Sequence, residues 1–272
     1  MSRSLIDSFI VKAVQLILIL LSFCSCEEKI MVNLEEGNPK VVIEGYITNS
    51  NNPGMLKLFR SQEFFNQSLF TPIENASVQI ESQVTTEELS EEAPGYYLFS
   101  RRGEIPGRTY TLKVKTGNEN FGATVELPYP VAIDTVYFRP GIFHKDSLNV
   151  IVEFQDPPTS ENYYRIKLYF NRKFVVNDYF LVTDAFTDGK KMVVPIYNRY
   201  FAPGDTITVE LLNLEKTTWK YFKGLSEALQ EGVNSQAPGN PPSNITGGAL
   251  GIFGAYSSTV WLGIAPGTSQ KY

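Results

Sequence analysis

PKVVIEGYITN, residues 39–49, places Val41, Ile43 and Ile47 on one side of an extended chain and Val42, Glu44, Tyr46 and Thr48 on the other. Alternation with a period of two marks a strand with one face against a core. A turn is expected over 49–54, and Leu56 and Leu58 then share a face in 55–61. The pattern continues through 76–82, 96–100, 108–116 and 121–128, punctuated by Gly, Pro and Asn with no helical period between. Short strands at this spacing predict an immunoglobulin-like β-sandwich over 39–128. Pro128 and Pro130 place a domain boundary there.

Working outward, residues 129–272 read as a second β-rich domain. Strands are expected at 132–138, 148–156, 191–198 and 205–214, with 162–171 and 173–182 as a hairpin. One helix stands out at 216–230, where Trp219, Phe222, Leu225, Ala228 and Leu229 form an apolar stripe. A long irregular loop is expected over 232–248, and 248–262 reads as two strand segments or one bent strand. The predicted class is all-β, mainly antiparallel, with one amphipathic helix.

The 272 residues carry a formal charge of −5, which excludes nucleic acid as the main partner. Aromatics make up 13%, an enrichment that suits strands better than long helices. His144 is the one histidine, so a paired-histidine zinc site is excluded. Cys24 and Cys26 are the two cysteines, leaving the body without a disulfide or thiol nucleophile. Phosphate-loop, dinucleotide and nucleophile-elbow motifs are absent. Glu87, Glu88, Glu91 and Glu92 lack the spaced ligand ladder of a calcium loop and read as a solvated hairpin loop. His144 reads as a surface loop residue, and Glu153 and Asp156 flank a strand end without further distinction. The expectation is no enzyme, no cofactor and no metal.

The N-terminus points to an address. Arg3 and Lys12 precede an apolar run over 13–23, too short to span a bilayer and suited to a secretory signal. Small Ser25 before Cys26 fits a lipoprotein signal peptide over 1–25, with Cys26 lipidated and 26–38 a tether. Glu27 and Glu28 behind that cysteine resemble the surface-export signal of Bacteroidota lipoproteins. Three Asp-[Ser/Thr]-aliphatic triplets offer Thr135, Ser147 and Thr206 as candidate O-glycosylation acceptors, resembling those of Bacteroidota envelope proteins.

Three segments together carry a resemblance. They are 39–49, Asp156-Pro157 with 162–165 (Asn-Tyr-Tyr-Arg), and 242–256 (PSNITGGALGIFGAY). With the tether and Cys26, these make the chain similar to the Bacteroidota lipoproteins grouped as domain of unknown function 4249. The resemblance implies an outer-membrane lipoprotein, often encoded beside a TonB-dependent receptor, with no established reaction or ligand, and the acidic pair Glu27 and Glu28 adds the expectation that it faces the cell exterior. Three functions follow as hypotheses: substrate capture or gating for a TonB-dependent transporter, structural or adhesive binding of proteins or glycans, and hydrolysis of surface polymers. The first is expected and the last is disfavoured by the missing catalytic constellation. Loops and aromatics tend to supply partner contacts, so Trp219, Tyr221, Asn244 and Tyr256 are the candidate contact residues.

Overall fold

The computed structural model describes residues 39–61, 71–99, 104–140, 148–158, 161–175, 179–199, 204–231 and 239–266. Cys26, Glu27, Glu28, His144, Ser147 and much of the expected loop lie outside the described residues. The stretch from Asn38 to Tyr272 forms one compact unit.

Nine strands come first: β1 (Val41–Thr48), β2 (Met55–Arg60), β3 (Thr71–Pro72), β4 (Ser77–Ser82), β5 (Thr86–Glu88), β6 (Ser90–Ala93), β7 (Tyr96–Leu98), β8 (Thr109–Thr116) and β9 (Glu119–Glu126). Then follow β10 (Thr135–Pro140), β11 (Leu148–Gln155), β12 (Tyr163–Phe170), β13 (Lys173–Phe174), β14 (Phe180–Thr183), β15 (Lys191–Arg199) and β16 (Thr206–Leu214). Helix α1 (Lys216–Glu231) and the long β17 (Leu250–Ile264) close the order. Among the described residues the fold is all-β with one helix, as the alternation predicts.

One ten-stranded sheet runs the length of the unit in the order β13-β12-β16-β17-β1-β2-β7-β6, with β14 beside β12 and β3 beside β2. A four-stranded sheet, β5-β4-β8-β9, shares a core with its β1 end. A three-stranded sheet, β10-β11-β15, shares a second core with its β12–β16 end. Strand β1 buries Val41, Ile43 and Ile47 against the first core, which is why its inward positions are apolar. Tyr164, Ile166, Leu168, Ile207 and Val209 do the same in the second.

Strand β17 belongs to both sandwiches. Residues 250–256 pair in parallel with 42–48 of β1, whereas 256–264 pair antiparallel with β16. Tyr256 is paired on both sides, with Thr48 and Leu214. The division at 128/129 therefore needs correction. Residues 39–128 do not close a sandwich by themselves, because Ile245, Ala249, Phe253 and Ala255 complete their core. A parallel partner for β1 requires a crossover, and the intervening second sandwich is that crossover. The linker is fixed under the junction by Asn213 Nδ2 donating to Tyr129 O (2.9 Å), Ser257 Oγ to Pro128 O (2.5 Å) and Thr259 Oγ1 to Val131 O (2.7 Å).

Two Asn side chains continue the ladder where a neighbouring strand is missing. Asn244 donates from Nδ2 to Phe253 O (2.8 Å) and accepts from Phe253 N through Oδ1 (3.1 Å). Asn49 repeats the exchange with Ser258, accepting from its N (2.8 Å) and donating to its O (3.2 Å). Each amide stands in for one peptide unit of an absent strand. At Gly251 the backbone has φ +92°, and a Cβ there would lie 2.1 Å from Ile43 O. Only glycine lets β17 approach β1 in that conformation.

The acidic run at 87–92 is strand rather than loop. Leu89 is buried in the first core between β5, which pairs with β4, and β6, which pairs with β7. Burial of that one leucine draws the segment into both sheets, while Glu88 and Glu92 stay exposed. The expected hairpin forms around Asn171 (φ 48°) and Arg172 (φ 67°), the two left-handed residues of a tight hairpin turn.

A candidate binding face on the long sheet

The face of the ten-stranded sheet opposite the two cores carries helix α1 and, beside it, an open groove. The helix starts at Glu215, whose carboxylate accepts from Thr217 N (2.7 Å) and Thr218 N (3.2 Å) and so satisfies two of the free amides of the first turn. Thr218 Oγ1 accepts from Ala255 N (2.9 Å), tying the helix to β17. Trp219, Phe222 and Leu225 pack onto Tyr163, Leu212 and Leu214 of the sheet, but Leu229, expected in the same stripe, is exposed.

Period-two alternation in β12 turns Tyr163, Arg165, Lys167 and Tyr169 toward this face and Tyr164, Ile166 and Leu168 into the core. Arg165 is buried with its guanidinium 4.3 Å from the Tyr179 ring and 4.5 Å from the Phe222 ring. Aromatic faces on both sides stabilise the cation where water does not reach it. Its Nε has no hydrogen-bond partner among the described residues. Burial lowers the Arg165 pKa, and the neighbouring Tyr179 opposes that shift.

Beside this clamp lies a groove of about 320 Å³, lined by Tyr46, Asn52, Lys167, Glu210, Tyr256 and Ser258, among others. Lys167 pairs with Glu210 (3.5 Å) and sits 5.5 Å from the Tyr256 ring centre. Tyr169 donates from its hydroxyl to Glu210 (3.0 Å). Burial lowers the Lys167 pKa, with Glu210 acting against it. The Tyr256 phenol is pushed up to about 12 by burial and by the charge of Glu210, and burial drives Tyr221 to about 12 as well. These phenols stay protonated at neutral pH, so they act as hydrogen-bond donors and flat apolar surfaces. A second groove of about 310 Å³ shares Tyr169 and Glu210 and extends past Arg172 and Thr208 to Val260. Next to it Val260, Leu262 and Ile264 project 64%, 67% and 69% exposed.

Aromatic faces, hydroxyls and one charge pair on a rigid sheet equip this surface to hold an amphipathic ligand or a partner's loop.

Of the residues singled out in the sequence, Trp219, Tyr221 and Tyr256 share one aromatic cluster on this face. Trp219 packs on Tyr163 with ring centres 4.9 Å apart, and its buried Nε1 has no hydrogen-bond partner among the described residues. Asn244 is outside that cluster, beside the first turn of α1: its amide is engaged by the Phe253 backbone, and its Nδ2 also donates to Thr217 Oγ1 (3.4 Å). Thr135 and Thr206 open β10 and β16 at exposed and half-buried positions, and Ser147 lies outside the described residues. Arg165, Lys167 and Glu210 were not singled out. Charged residues at alternate positions of 162–171 are the sequence signal that marks them.

The architecture defines a double β-sandwich with a helix-flanked open sheet face. The chain belongs to the family described as Domain of unknown function (DUF4249), whose model matches residues 27–260. Among solved structures it is similar to a two-domain fibronectin type-III segment from chicken tenascin, at 13% identity over 85% of this chain and 99% of that one, with a TM-score of 0.23. It is also similar to a pullulanase complexed with maltotriose from Anoxybacillus sp. LM18-11, at 9% identity over 63% of this chain and 24% of that one, with a TM-score of 0.20. No curated protein matches the chain.

Proposed function

We propose that this protein is a surface-exposed outer-membrane lipoprotein that serves a TonB-dependent transporter without catalysing a reaction, capturing or gating substrate through the sheet face described above. The observation that carries the reading is the groove in which Tyr46, Lys167, Glu210 and Tyr256 converge from four separate strands on a rigid support. Ser25-Cys26 with Glu27 and Glu28 supports the anchored, outward-facing address. Among the described residues no helix is long and apolar enough to cross a membrane. Thr135, Ser147 and Thr206 are the proposed glycan acceptors.

The test is affinity purification of the intact protein from its own outer membrane, native and with Lys167→Ala and Tyr256→Ala combined. The expected result is a transporter barrel with the native protein and its loss with the double variant. Recovery of matrix or adhesin proteins in place of a barrel would replace this reading with the adhesive one. Turnover of a polysaccharide or peptide would replace it with hydrolysis. Cys26→Ala should release the protein from the membrane fraction, and continued sedimentation with the outer membrane would refute the anchor.

A further inference from the structure

Away from the groove, the second sandwich encloses an acidic node. Asp156 follows β11 and is fully buried, Asp184 follows β14 and is 1% exposed, and Asp188 is exposed on the turn leading to β15. A carboxylate oxygen from each lies within 4.8 Å of the other two. The turn that brings Asp188 over the buried pair is closed by Thr187 N donating to Asp184 O (2.6 Å) and Lys190 N to Thr187 O (2.9 Å).

The two buried carboxylates are unequally satisfied. Asp156 accepts from the Tyr164 hydroxyl (2.5 Å) and from Gly189 N (2.9 Å), one bond to each oxygen. Asp184 Oδ2 accepts from Asn162 N (3.0 Å) and Asn162 Nδ2 (3.4 Å). Asp184 Oδ1 is buried without a partner among the described residues. None of the ion pairs among the described residues involves Asp156 or Asp184. Two carboxylates so close and out of water repel each other, and an unpaired buried oxygen adds its desolvation cost. A cation at this point removes both penalties.

We propose that Asp156, Asp184 and Asp188 bind a hard divalent cation of calcium size, with Asp184 Oδ1 as the interior ligand and Asp188 closing the site from the solvent side. Carboxylate oxygens, without imidazole or thiolate, select this class of ion. Water entering beside exposed Asp188 completes the shell. The bound ion ties the end of β11 to the turn between β14 and β15, and so fixes the loop that displays the exposed Phe186.

Terbium luminescence tests the site, because terbium takes calcium positions and Tyr164 stands beside Asp156 to sensitise it. The purified protein, stripped with chelator, should show emission on tyrosine excitation that saturates near one equivalent and is displaced by calcium. Calcium should also raise its melting temperature in a saturable way. Asp188→Asn, an exposed change that leaves the fold intact, should weaken terbium binding at least about tenfold, whereas Glu92→Gln should not. Absence of saturable emission from the native protein overturns the proposal, as does equal binding by native protein and Asp188→Asn.

Discussion

The two halves of β17 are the same strand in different surroundings. Residues 251–255 are buried on both faces, packed against the first core on one side and covered by α1 on the other. Residues 259–264 cover the second core with one face and present Val260, Leu262 and Ile264 to solvent with the other. A strand covered on both faces reads as a continuous small-and-apolar run, and one covered on a single face reads as an alternation. GIFGA follows the first rule, whereas TVWLGI departs from the second, since its solvent-facing positions are the aliphatic Val260, Leu262 and Ile264. The helix is thus a local cover on a long sheet, and the aromatic groove lies where that cover stops.

The comparison can be broken most severely at Gly251. Gly251→Val forces a side chain into the Ile43 carbonyl at a left-handed backbone position, and should cost about 4 kcal/mol or prevent folding, as read by urea denaturation. A loss below 1 kcal/mol would mean that β17 and β1 are not as close as described. Phe222→Ala removes the ring that joins helix, Tyr46 and Arg165, with an expected loss of about 3 kcal/mol. Retention of full stability would separate α1 from the support of the sheet.

The two ladder-completing asparagines sharpen the comparison. Asn244→Ala leaves Phe253 N and O unsatisfied in the buried half and should cost about 2 kcal/mol. Asn49→Ala acts on the half-buried Ser258, where water replaces the lost partner, at about 1 kcal/mol. Equal losses would show that solvent reaches both halves alike. The smallest effect is expected for Leu262→Thr, within about 0.5 kcal/mol of the parent. A loss near that of Phe222→Ala would reveal a cover over this half as well.

Local patterns were readable where one residue's neighbours decide its environment. The alternation in 39–49, the helix at 216–230 and the strands of 108–128 follow from side-chain period alone. The sharing of β17 was not readable, because its partners are set by complementarity between strands remote in sequence. Nor was the acidic run, since burial of Leu89 outweighs the pull of four glutamates toward water. The site divides in the same way. Trp219, Tyr221 and Tyr256 were visible as aromatics near the helix, whereas Glu210 reaches the groove only through its pairing with Lys167 and Tyr169. The acidic node was hidden because Asp156 and Asp184 each look like the polar end of a strand until the sandwich closes.

The junction of β1 and β17 also fixes an order of events in time. Asn49 and Ser258 are 209 positions apart, and a nearly equal separation holds along the whole parallel ladder, from Val42 with Leu250 to Thr48 with Tyr256. Strand β1 therefore leaves the ribosome long before its partner exists, and the first sandwich stays incomplete until residues 250–256 are made. Contacts this distant make for slow folding and long exposure of an unpaired edge. Until that late segment arrives, β1 cannot settle into its native sheet, and its apolar face must wait for a partner from the far end of the crossover.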